Sequence, residues 1–451
     1  MLVEDRIRAL SLEVEPQAIE WRRHFHAHPE LANQEFETAR FVAERLRSFG
    51  CDEVMTGRAG GTGVIGLIKG ARPGPVVGFR ADMDALPIRE ETGLSYASQQ
   101  TAEWGGRITY VMHACGHDAH TAILLATGNV LAQMRDQIEG AVLLVFQPAE
   151  EGPSTTWLGP SGAERLLIDG DLDQPKPEAM FALHVVPEVP AGQIVVHSGN
   201  GSYGMSVFKI TLTGKGGHAF QPWACIDPIG LAAQLVLALQ SIPNRYVDIY
   251  NNDVTVSLGS IQGGEKFNVI PSEVTIEGAI RLTDEASRGH LESQVEQISQ
   301  GIAASGGATA KVEWRLKIPI LYNDPDLLAD MRGSLDKAAD EVMPVKRLFL
   351  DDFSFISQRI PSLFFGLGAG PGKGDDRPSS ALHRPDFWID EKALVIGIRA
   401  FLHLCIDYSS VRHRSNGHDL AAGAVGVGGA RAAAGPETRV ETPISLSREL
   451  P

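Results

Sequence analysis

The hydrophobic pattern of the chain changes period several times. In "EFETARFVAERLRSFG" apolar residues recur with helical spacing, which predicts a helix that ends near Gly50. Its apolar face would carry Phe36, Ala39, Val42, Ala43, Leu46 and Phe49. Next come the runs "GVIGLIKG" and "PVVGFRADMDALP", a helix from about His120 to Met134, and the runs "GAVLLVFQPAEEGP" and "AMFALHVVP". Strands that alternate with helices predict an α/β fold with a largely parallel mixed sheet and helices on both faces.

A second pattern begins near Gly201. It reads strand, helix, two strands, helix and strand, in the segments "MSVFKITLTG", "DPIGLAAQLVLALQSI", "NDVTVSLGSI", "SEVTIEGAIRL", "ASRGHLESQVEQISQGIAA" and "KVEWRLKI". This order is typical of a ferredoxin-like α+β domain. We therefore predict a smaller domain over residues 199–314 that interrupts the first domain.

The first domain resumes after this insert. A helix near Asp326 to Asp340, the strand "IPSLFFGLG" and the helix "EKALVIGIRAFLHLC" would complete it. The first domain then comprises residues 1–198 and 315–409. Residues 410–451 are rich in glycine and alanine and lack periodicity, so we predict that they form a disordered tail.

The composition is that of a globular protein, with 43% hydrophobic and 21% charged residues. A formal net charge of -16 argues against a nucleic-acid partner, because binding DNA or RNA normally begins with a basic surface. Glu4 and Asp5 stand where a secretory signal would be basic, and no continuous apolar run reaches the roughly 18 residues of a membrane span. The cysteines are few and widely scattered. We expect a cytoplasmic protein without a membrane partner.

The stretch "MHACGHDAHTAILL" concentrates potential metal ligands between a predicted strand and a helix. Cys115 and His117 are separated by one residue, so a tight turn would let both side chains reach one cluster. Thiolate and imidazole are strong ligands for zinc-like ions. Taken alone, this stretch could also be a polar loop that caps the helix.

Two consecutive carboxylates, Glu150 and Glu151, follow the apolar strand of "LLVFQPAEEG". One could bind metal while the other stays uncoordinated as a general base, or both could simply face solvent. His184 ends the apolar run of "FALHVVP", and His383 lies in the late loop "LHRPDF"; each could be an ordinary structural histidine. Three predicted strand ends and one loop would together deliver ligands for two metal ions, and this agreement favours a metal site.

Seven motifs follow one another within residues 15–408: "RADMDALPI", "HACGHDAHT", "FQPAEEG", "LHVVP", "GKGGHA", "NVIP" and "LHRPDF". They resemble the zinc-peptidase and aminoacylase superfamily, and within it the branch of hippurate hydrolases, N-acyl-amino-acid amidohydrolases and indole-acetyl-amino-acid hydrolases. The resemblance implies a catalytic domain interrupted by a lid domain that often mediates dimerisation. It also implies a small-molecule substrate and a homodimer or higher homo-oligomer.

The resemblance assigns roles to individual residues. A pair of divalent ions, either zinc, manganese, cobalt or nickel, would be held by Cys115, His117, Glu151, His184 and His383. Glu150 would act as general base toward a metal-activated water. Supporting roles go to Asp82, Asp84 and Asp118. Asp82 stands where the wider superfamily has a metal-binding histidine.

Three residues of the predicted lid would act on the substrate. His218 in "GKGGHA" would stabilise the oxyanion of the tetrahedral intermediate, and it could do so across a dimer interface. Asn268 in "NVIP" and Arg281 at the end of "TIEGAIR" are candidates for holding a substrate carboxylate, since a guanidinium matches its two oxygens. The structural alternatives are a histidine in a glycine-rich turn and an arginine on a surface strand.

Two stretches depart from the resembled branch, and both lie beside the expected metal ligands: "TAEWGGRITY" and "STTWLGP". They contribute Trp104 and Trp157, while Trp223 stands where many members of the branch have a histidine. These tryptophans could bind an aromatic part of the substrate, or they could pack loops under the lid.

The leading hypothesis is a metal-dependent amidohydrolase that cleaves an N-acyl or N-aroyl amino acid. A hydrolytic deaminase of an aromatic amine and a carboxypeptidase are alternatives on the same scaffold. A thiol hydrolase with Cys115 as nucleophile, flanked by His113, belongs to a different mechanistic class. A non-catalytic binding protein is disfavoured because Glu150 is present together with every expected ligand.

Overall fold

The computed structural model of the protein describes residues 2–152, 159–372 and 375–423. The elements before the insert are α1 (Val3–Ala27), α2 (Phe36–Ser48), β1 (Glu53–Arg58), β2 (Gly63–Lys69), β3 (Arg72–Asp82), β4 (Thr101–Trp104), β5 (Arg107–Tyr110), α3 (His117–Gln133), β6 (Glu139–Gln147), α4 (Gly162–Ile168), β7 (Ala179–Pro190) and β8 (Gln193–Val196). Helix α1 was not predicted, because only a narrow stripe that includes Ile7, Val14 and Trp21 is apolar and buried.

The insert and the return to the main domain continue the numbering. The insert contains β9 (Gly199–Asn200), β10 (Gly204–Thr213), β11 (Gly217–His218), α5 (Pro228–Gln240), α6 (Ile242–Arg245), β12 (Val254–Gln262), β13 (Val269–Ile270), β14 (Glu273–Leu282), α7 (Arg288–Ser305) and β15 (Thr309–Ile318). The return contains β16 (Tyr322–Asn323), α8 (Pro325–Ala338), β17 (Glu341–Pro344), α9 (Ser354–Ser357), β18 (Ser362–Gly370) and α10 (Ala393–Gly423).

Eight strands form the main sheet, in the order β1-β2-β6-β3-β7-β18-β8-β17. The central strands β6, β3, β7 and β18 run parallel to one another, and β8 and β17 also pair in parallel. Antiparallel pairs join β1 to β2, β2 to β6, and β18 to β8. The central strands are buried along most of their length, as expected for strands that are covered on both faces.

Helices cover both faces of the main sheet. On one face, α3 lies against α1, β3 and β7, and Phe401 of α10 contacts Phe79 of β3. On the other face, α4 and α9 contribute Leu166 and Ile356 to a core that includes Met180 of β7. This arrangement confirms the predicted α/β fold class with a largely parallel mixed sheet.

The insert forms a smaller α+β lid domain. Its four antiparallel strands have the order β12-β14-β10-β15, and α5 and α7 pack on one face of them. The chain order and the sheet order are those of the predicted ferredoxin-like fold. The lid has a core of its own, in which Phe208, Leu235, Ile276 and Val295 are fully buried.

Two neighbouring strands connect the lid to the main domain. β9 leads into the lid and β16 leads out of it, and the two strands pair antiparallel with Asn200 opposite Tyr322. Next to this pair, the Gly201 N–H donates to the Leu321 carbonyl at 2.7 Å. The two chain segments that connect the domains therefore lie side by side and are hydrogen-bonded to each other.

Three details differ from the predictions. Phe36, predicted on the buried face of α2, begins the helix and is 64% exposed. The predicted lid boundary at residue 314 falls inside β15, which runs to Ile318. Helix α10 continues through Gly423, past the predicted start of the tail at Ser410, because adding residues to a formed helix costs little. Residues 424–451 lie outside the described part of the chain.

Among the described helices, one stretch of α10 is long and apolar enough to cross a membrane by length and composition, namely Ala393–Ser410. This stretch is not a continuous apolar run in the sequence, because Arg399 and Asp407 interrupt it. Within the protein, 78% of this stretch is buried, which is typical of the core helix of a globular domain.

Candidate metal centre

A tight turn places Cys115 and His117 beside the end of β3. Gly116, between them, has a φ of 89°, a conformation that favours glycine. A Cβ at this position would lie 2.3 Å from Val185 Cγ2, so another residue would fit only if the Val185 side chain moved. His117 is the first residue of α3 and is fully buried. The spacing of the two ligands thus depends on a glycine.

Three of the candidate ligands do not end strands of the sheet, contrary to the prediction. Cys115 lies in the loop before α3, and His117 starts that helix. His184 lies inside β7, because the strand continues as far as Pro190. A strand pattern in the sequence indicates which residues are extended, but it does not indicate where the hydrogen-bonded sheet ends.

The side chains of the predicted ligands converge on one cluster. The Cys115 Sγ lies 3.3 Å from the His184 Nε2 and 3.3 Å from the His383 Nε2. The His383 Nε2 also lies 2.9 Å from the Glu151 Oε1. Glu151 is shared with a second group, which contains His117 and Glu150. All six residues predicted for the metal chemistry therefore meet at one site.

The donor atoms fit divalent metal ions. Within each of three groups the donor atoms lie within 4.8 Å of one another, and the groups are Cys115–His117–His184, Cys115–Glu151–His383 and His117–Glu150–Glu151. The His117 Nε2 is buried and has no hydrogen-bond partner in the described structure, as expected of a nitrogen that binds a metal. Because Cys115, His117 and Glu151 each belong to two of these groups, the set suits two neighbouring ions.

The electrostatics of the cluster also favour a bound cation. Burial and the carboxylates of Glu151 and Glu150 raise the pKa of the Cys115 thiol well above its usual value. Burial lowers the pKa of His184 well below that of a free imidazole. Without a cation, Cys115 would stay a neutral thiol at pH 7, which disfavours the thiol hydrolase hypothesis.

The carboxylates around His117 and its burial shift the pKa of His117 in opposite directions. Burial disfavours the charged imidazole, but the carboxylates of Asp82 and Asp84 raise the pKa of His117 to about 10. The group therefore attracts either a proton or a metal ion at its Nε2. Competition between the two would weaken metal binding as the pH falls.

Comparison with known proteins identifies the family. Residues 78–407 match Peptidase family M20/M25/M40. The chain belongs to this family. It is 36% identical over 383 residues to the N-acetyl-L-cysteine deacetylase of Bacillus subtilis (strain 168), and the match covers 85% of this chain and 86% of the relative. It is 40% identical over 308 residues to the N-acyl-L-amino acid amidohydrolase of Geobacillus stearothermophilus, over 68% of this chain and 78% of that one.

A solved structure shows the same likeness. The M20 chain superposes on the Bacillus subtilis YXEP protein, a dinuclear metal-binding peptidase of the M20 family, with a TM-score of 0.73 and 31% identity. The match covers 88% of this chain and 99% of that structure. Family membership confirms the resemblance seen in the sequence. The protein is a metal-dependent amidohydrolase, a hydrolase of carbon–nitrogen bonds that uses divalent ions and acts on small molecules.

Two aspartates of the M20 chain hold histidines of the site. The Asp84 Oδ1 lies 3.2 Å from the His117 Nδ1, and the Asp84 Oδ2 accepts the Glu151 N–H at 3.0 Å. The Asp82 Oδ1 lies 2.6 Å from the His120 Nδ1. Asp84 therefore contacts two predicted metal ligands at once, a geometry suited to orienting them. Its supporting role stays a prediction.

The third predicted supporting residue, Asp118, connects two helices. It accepts from the Arg22 Nε at 2.8 Å and lies 2.9 Å from the His26 Nδ1. All three side chains are buried. Asp118 thus fixes the start of α3, which carries His117, against α1.

A buried arginine that was not predicted from the sequence lies behind the ligands. Arg80 of β3 is 1% exposed and donates to Gln147 at 2.8 Å and to Asp82 at 2.7 Å. It also donates to Asp351 at 3.2 Å and to Asp352 at 2.9 Å, both in the loop before α9. The sequence contains the corresponding signals, a charged residue inside the apolar run "VVGFRAD" and the acidic pair in "LDDF".

The predicted lid residues lie outside the ligand cluster. His218 is exposed on β11. The Asn268 carbonyl accepts the Ala219 N–H at 3.2 Å, so Asn268 is adjacent to His218. Arg281 of β14 stands directly opposite Met205 of β10, which lines the metal cavity. Directly opposite residues share one face of a sheet, so Arg281 lies on the cavity side of the lid.

The predicted tryptophans occupy other places. Trp104 packs against a small cluster of Leu31, Ala85 and Val111, as the loop-packing alternative expects. Trp223 is 78% exposed in a short 3-10 turn of the lid. Neither of them is among the described residues that line the metal cavity. Trp157 lies outside the described residues.

A cavity of about 380 Å³ adjoins the ligands. Its polar lining consists of Cys115, Glu150, Glu151, His184 and His383. Its apolar lining consists of Met205 and Ile318 from the lid and of Phe349, Leu350 and Leu382 from the main domain. These five apolar residues were not predicted from the sequence, because they come from segments far apart along the chain and only the folded lid and main-domain loops bring them together.

Arg80→Met should lower the free energy of unfolding by about 3–5 kcal/mol, because it leaves Asp82, Asp351 and Asp352 buried without their counter-charge. Arg6→Met is the control, since Arg6 pairs with Asp136 near the surface and a surface ion pair contributes little. Urea unfolding of the metal-loaded proteins measures both changes. Equal effects of the two substitutions would contradict the role given to Arg80.

Proposed function

We propose that this M20 chain hydrolyses the amide bond of N-acyl or N-aroyl amino acids. Glu150 carries the proposal, because it is a carboxylate inside the ligand cluster that remains available when Cys115, His117, Glu151, His184 and His383 bind the ions. An uncoordinated carboxylate at such a position is suited to proton transfer. The deacetylase and amidohydrolase relatives, which are named for N-acylated amino acids, support the same substrate class.

Glu150 would move the proton twice during the reaction. Bound divalent ions, zinc, manganese, cobalt or nickel, would lower the pKa of a coordinated water to roughly 7 and polarise the substrate carbonyl. Glu150 takes a proton as the water attacks the carbonyl carbon, and it gives this proton to the departing amine nitrogen as the C–N bond breaks. In the absence of bound cations, burial and the charge of Asp351 raise the pKa of Glu150 well above its usual value. Divalent cations held beside Glu150 would lower this pKa and so favour the ionised carboxylate that accepts the proton.

The apolar side of the cavity would receive the acyl group. Phe349, whose ring centroid lies 4.2 Å from that of His184, gives an aromatic or aliphatic acyl group a surface next to the ligands. Arg281, on the cavity side of the lid beside Met205, would bind the carboxylate of the amino-acid part. This assigns the aromatic preference to Phe349 and its apolar neighbours, and it leaves Trp104 to loop packing.

We propose further that the chain forms a homodimer through its lid. Near His218, three large apolar side chains lie on the surface, with exposures of 81% for Phe220, 78% for Trp223 and 94% for Phe267. Exposed apolar patches of this kind are typical of protein interfaces. A second copy would cover this patch, and His218 would then reach the partner's cavity to stabilise the oxyanion.

Glu150→Gln should lower kcat by about 10²–10⁴-fold, because the substituted amide cannot accept the proton. The metal content per chain should stay unchanged in Glu150→Gln. In Glu151→Gln, by contrast, both kcat and the metal content should fall. Elemental analysis and steady-state kinetics, before and after chelation and metal return, measure both effects. Full activity of a metal-loaded Glu150→Gln variant would exclude Glu150 as the base.

A substrate panel tests the proposed specificity. N-benzoylglycine should have a kcat/KM at least about 10-fold above that of N-acetylglycine, since each apolar group buried in a pocket adds a factor of this order. Met205→Ala, which removes part of the apolar lining, should reduce this ratio. Equal values for the two substrates would contradict an aromatic acyl preference, and faster release of ammonia from an aromatic amine would favour the deaminase.

Mixing two inactive variants tests the dimer. His218→Ala and Glu150→Gln chains should each be nearly inactive alone. In a mixed dimer, one site combines an intact Glu150 with an intact His218 from the other chain, so about a quarter to a half of the activity per site should return. A monomeric protein in analytical ultracentrifugation, or no recovery after verified exchange of subunits, would contradict the proposal.

A further inference from the structure

The residue before Glu150 has an unusual backbone conformation. Ala149 has a φ of 52°, in the left-handed region that residues with a Cβ rarely adopt. It is 1% exposed, so water does not satisfy its N–H. Some other group must stabilise this conformation, because an alanine does not favour it by itself.

That group is Glu35, which lies in the short segment before α2. The Glu35 Oε1 accepts the Ala149 N–H at 2.9 Å and the Asn33 N–H at 2.9 Å. Its Oε2 accepts the Thr62 hydroxyl at 2.7 Å. The Glu35 side chain is fully buried, and each of its three partners belongs to a different segment of the chain. The carboxylate is therefore held rigidly.

A second buried carboxylate holds the other side of Glu150. The Glu151 N–H donates to the Asp84 Oδ2 at 3.0 Å. The backbone N–H groups of Ala149 and Glu151, the residues before and after Glu150, are thus each bonded to a buried acidic side chain, Glu35 and Asp84 respectively. This double attachment fixes the position from which the Glu150 side chain projects, and it does so without any contact to the Glu150 carboxylate itself.

The geometry points to Glu35 as a positioning residue for catalysis, which acts through the Ala149 amide on the location of Glu150. This inference rests on the proposed role of Glu150 as general base. None of the three hydrogen-bond partners of Glu35, namely Asn33, Thr62 and Ala149, is a predicted metal ligand. Loss of Glu35 should therefore displace the base and leave the metal ions in place.

The test separates the length of the Glu35 side chain from the presence of its carboxyl group. Glu35→Gln keeps the length and one acceptor oxygen for the two amides, and its NH₂ can donate to the Thr62 hydroxyl, so kcat should stay within about 3-fold. Glu35→Asp keeps the carboxyl group but is one methylene too short to reach Ala149. A misplacement of about 1 Å can cost about 100-fold, so we expect kcat to fall by about 10–100-fold in Glu35→Asp.

KM and the metal content should change little in either variant, because substrate contacts and metal ligands remain. Glu35→Met, which has a similar length and no acceptor, should lose at least as much kcat as Glu35→Asp. If Glu35→Met does not fold, the comparison of Gln with Asp still decides the question. Higher activity of Glu35→Asp than of Glu35→Gln would overturn the inference, since the carboxyl group and not the length of the side chain would then matter.

A second substitution tests the route through Ala149. Glycine adopts a positive φ without steric cost, so Ala149→Gly should recover part of the kcat that Glu35→Met loses. Recovery of kcat without a matching rise in thermal stability would separate positioning from folding. No recovery in the double variant would overturn the role of the Ala149 conformation.

Asp324 provides a matched structural control. Like Glu35 it accepts two backbone N–H groups, those of Asp326 at 3.0 Å and Leu327 at 2.9 Å, but it caps α8. Asp324→Ala should lower the melting temperature and leave kcat per metal-loaded chain unchanged. If Glu35→Met behaves in the same way, Glu35 is only structural and the inference fails. Glu150→Gln, measured in parallel, shows separately whether the proposed base is correct.

Discussion

The arrangement of the site depends on the buried charge of Arg80. Its guanidinium joins β3, the end of β6 and the loop before α9, through Asp82, Gln147, Asp351 and Asp352. A buried ion needs partners of opposite charge, since the interior solvates it poorly. The acids gathered around Arg80 outnumber it, and Glu150 lies next to them. The excess of negative charge at this edge of the sheet is what makes a pair of divalent cations electrostatically suitable there.

This charge balance connects stability with chemistry. Cys115 needs a nearby cation to become a thiolate, and the carboxylates that raise its pKa are the same groups that attract the ions. Metal binding and the folded arrangement therefore support each other, as in other proteins whose ligands are brought together only by folding. The polar half of the cavity is fixed by these charges, while the apolar half is supplied largely by unrelated loops and by the lid.

Much of the fold could be predicted from the sequence, because its strands and helices differ clearly in hydrophobic period. The six residues of the metal chemistry could also be predicted, because their chemical types are rare beside apolar runs. The partners of Arg80 could not be predicted from the sequence, since one of them, Asp351, lies 271 positions away along the chain. The position of Trp104 could not be predicted either, because an aromatic residue in a loop can pack equally well on a hydrophobic core or on a ligand. The role of Glu35 could not be predicted, because its contact with Ala149 joins residues 114 positions apart along the chain.

The paired strands β9 and β16 restrict how the lid can move relative to the main domain. Because the chain enters and leaves the lid through two bonded neighbours, the lid is attached along one line and not at two distant points. Such an attachment permits rotation about a single axis and resists sliding or twisting. Met205 and Ile318, which follow β9 and precede β16, would swing together over the ligands. The lid would then open to admit a substrate and close to enclose it by rotating in opposite directions about the same hinge axis.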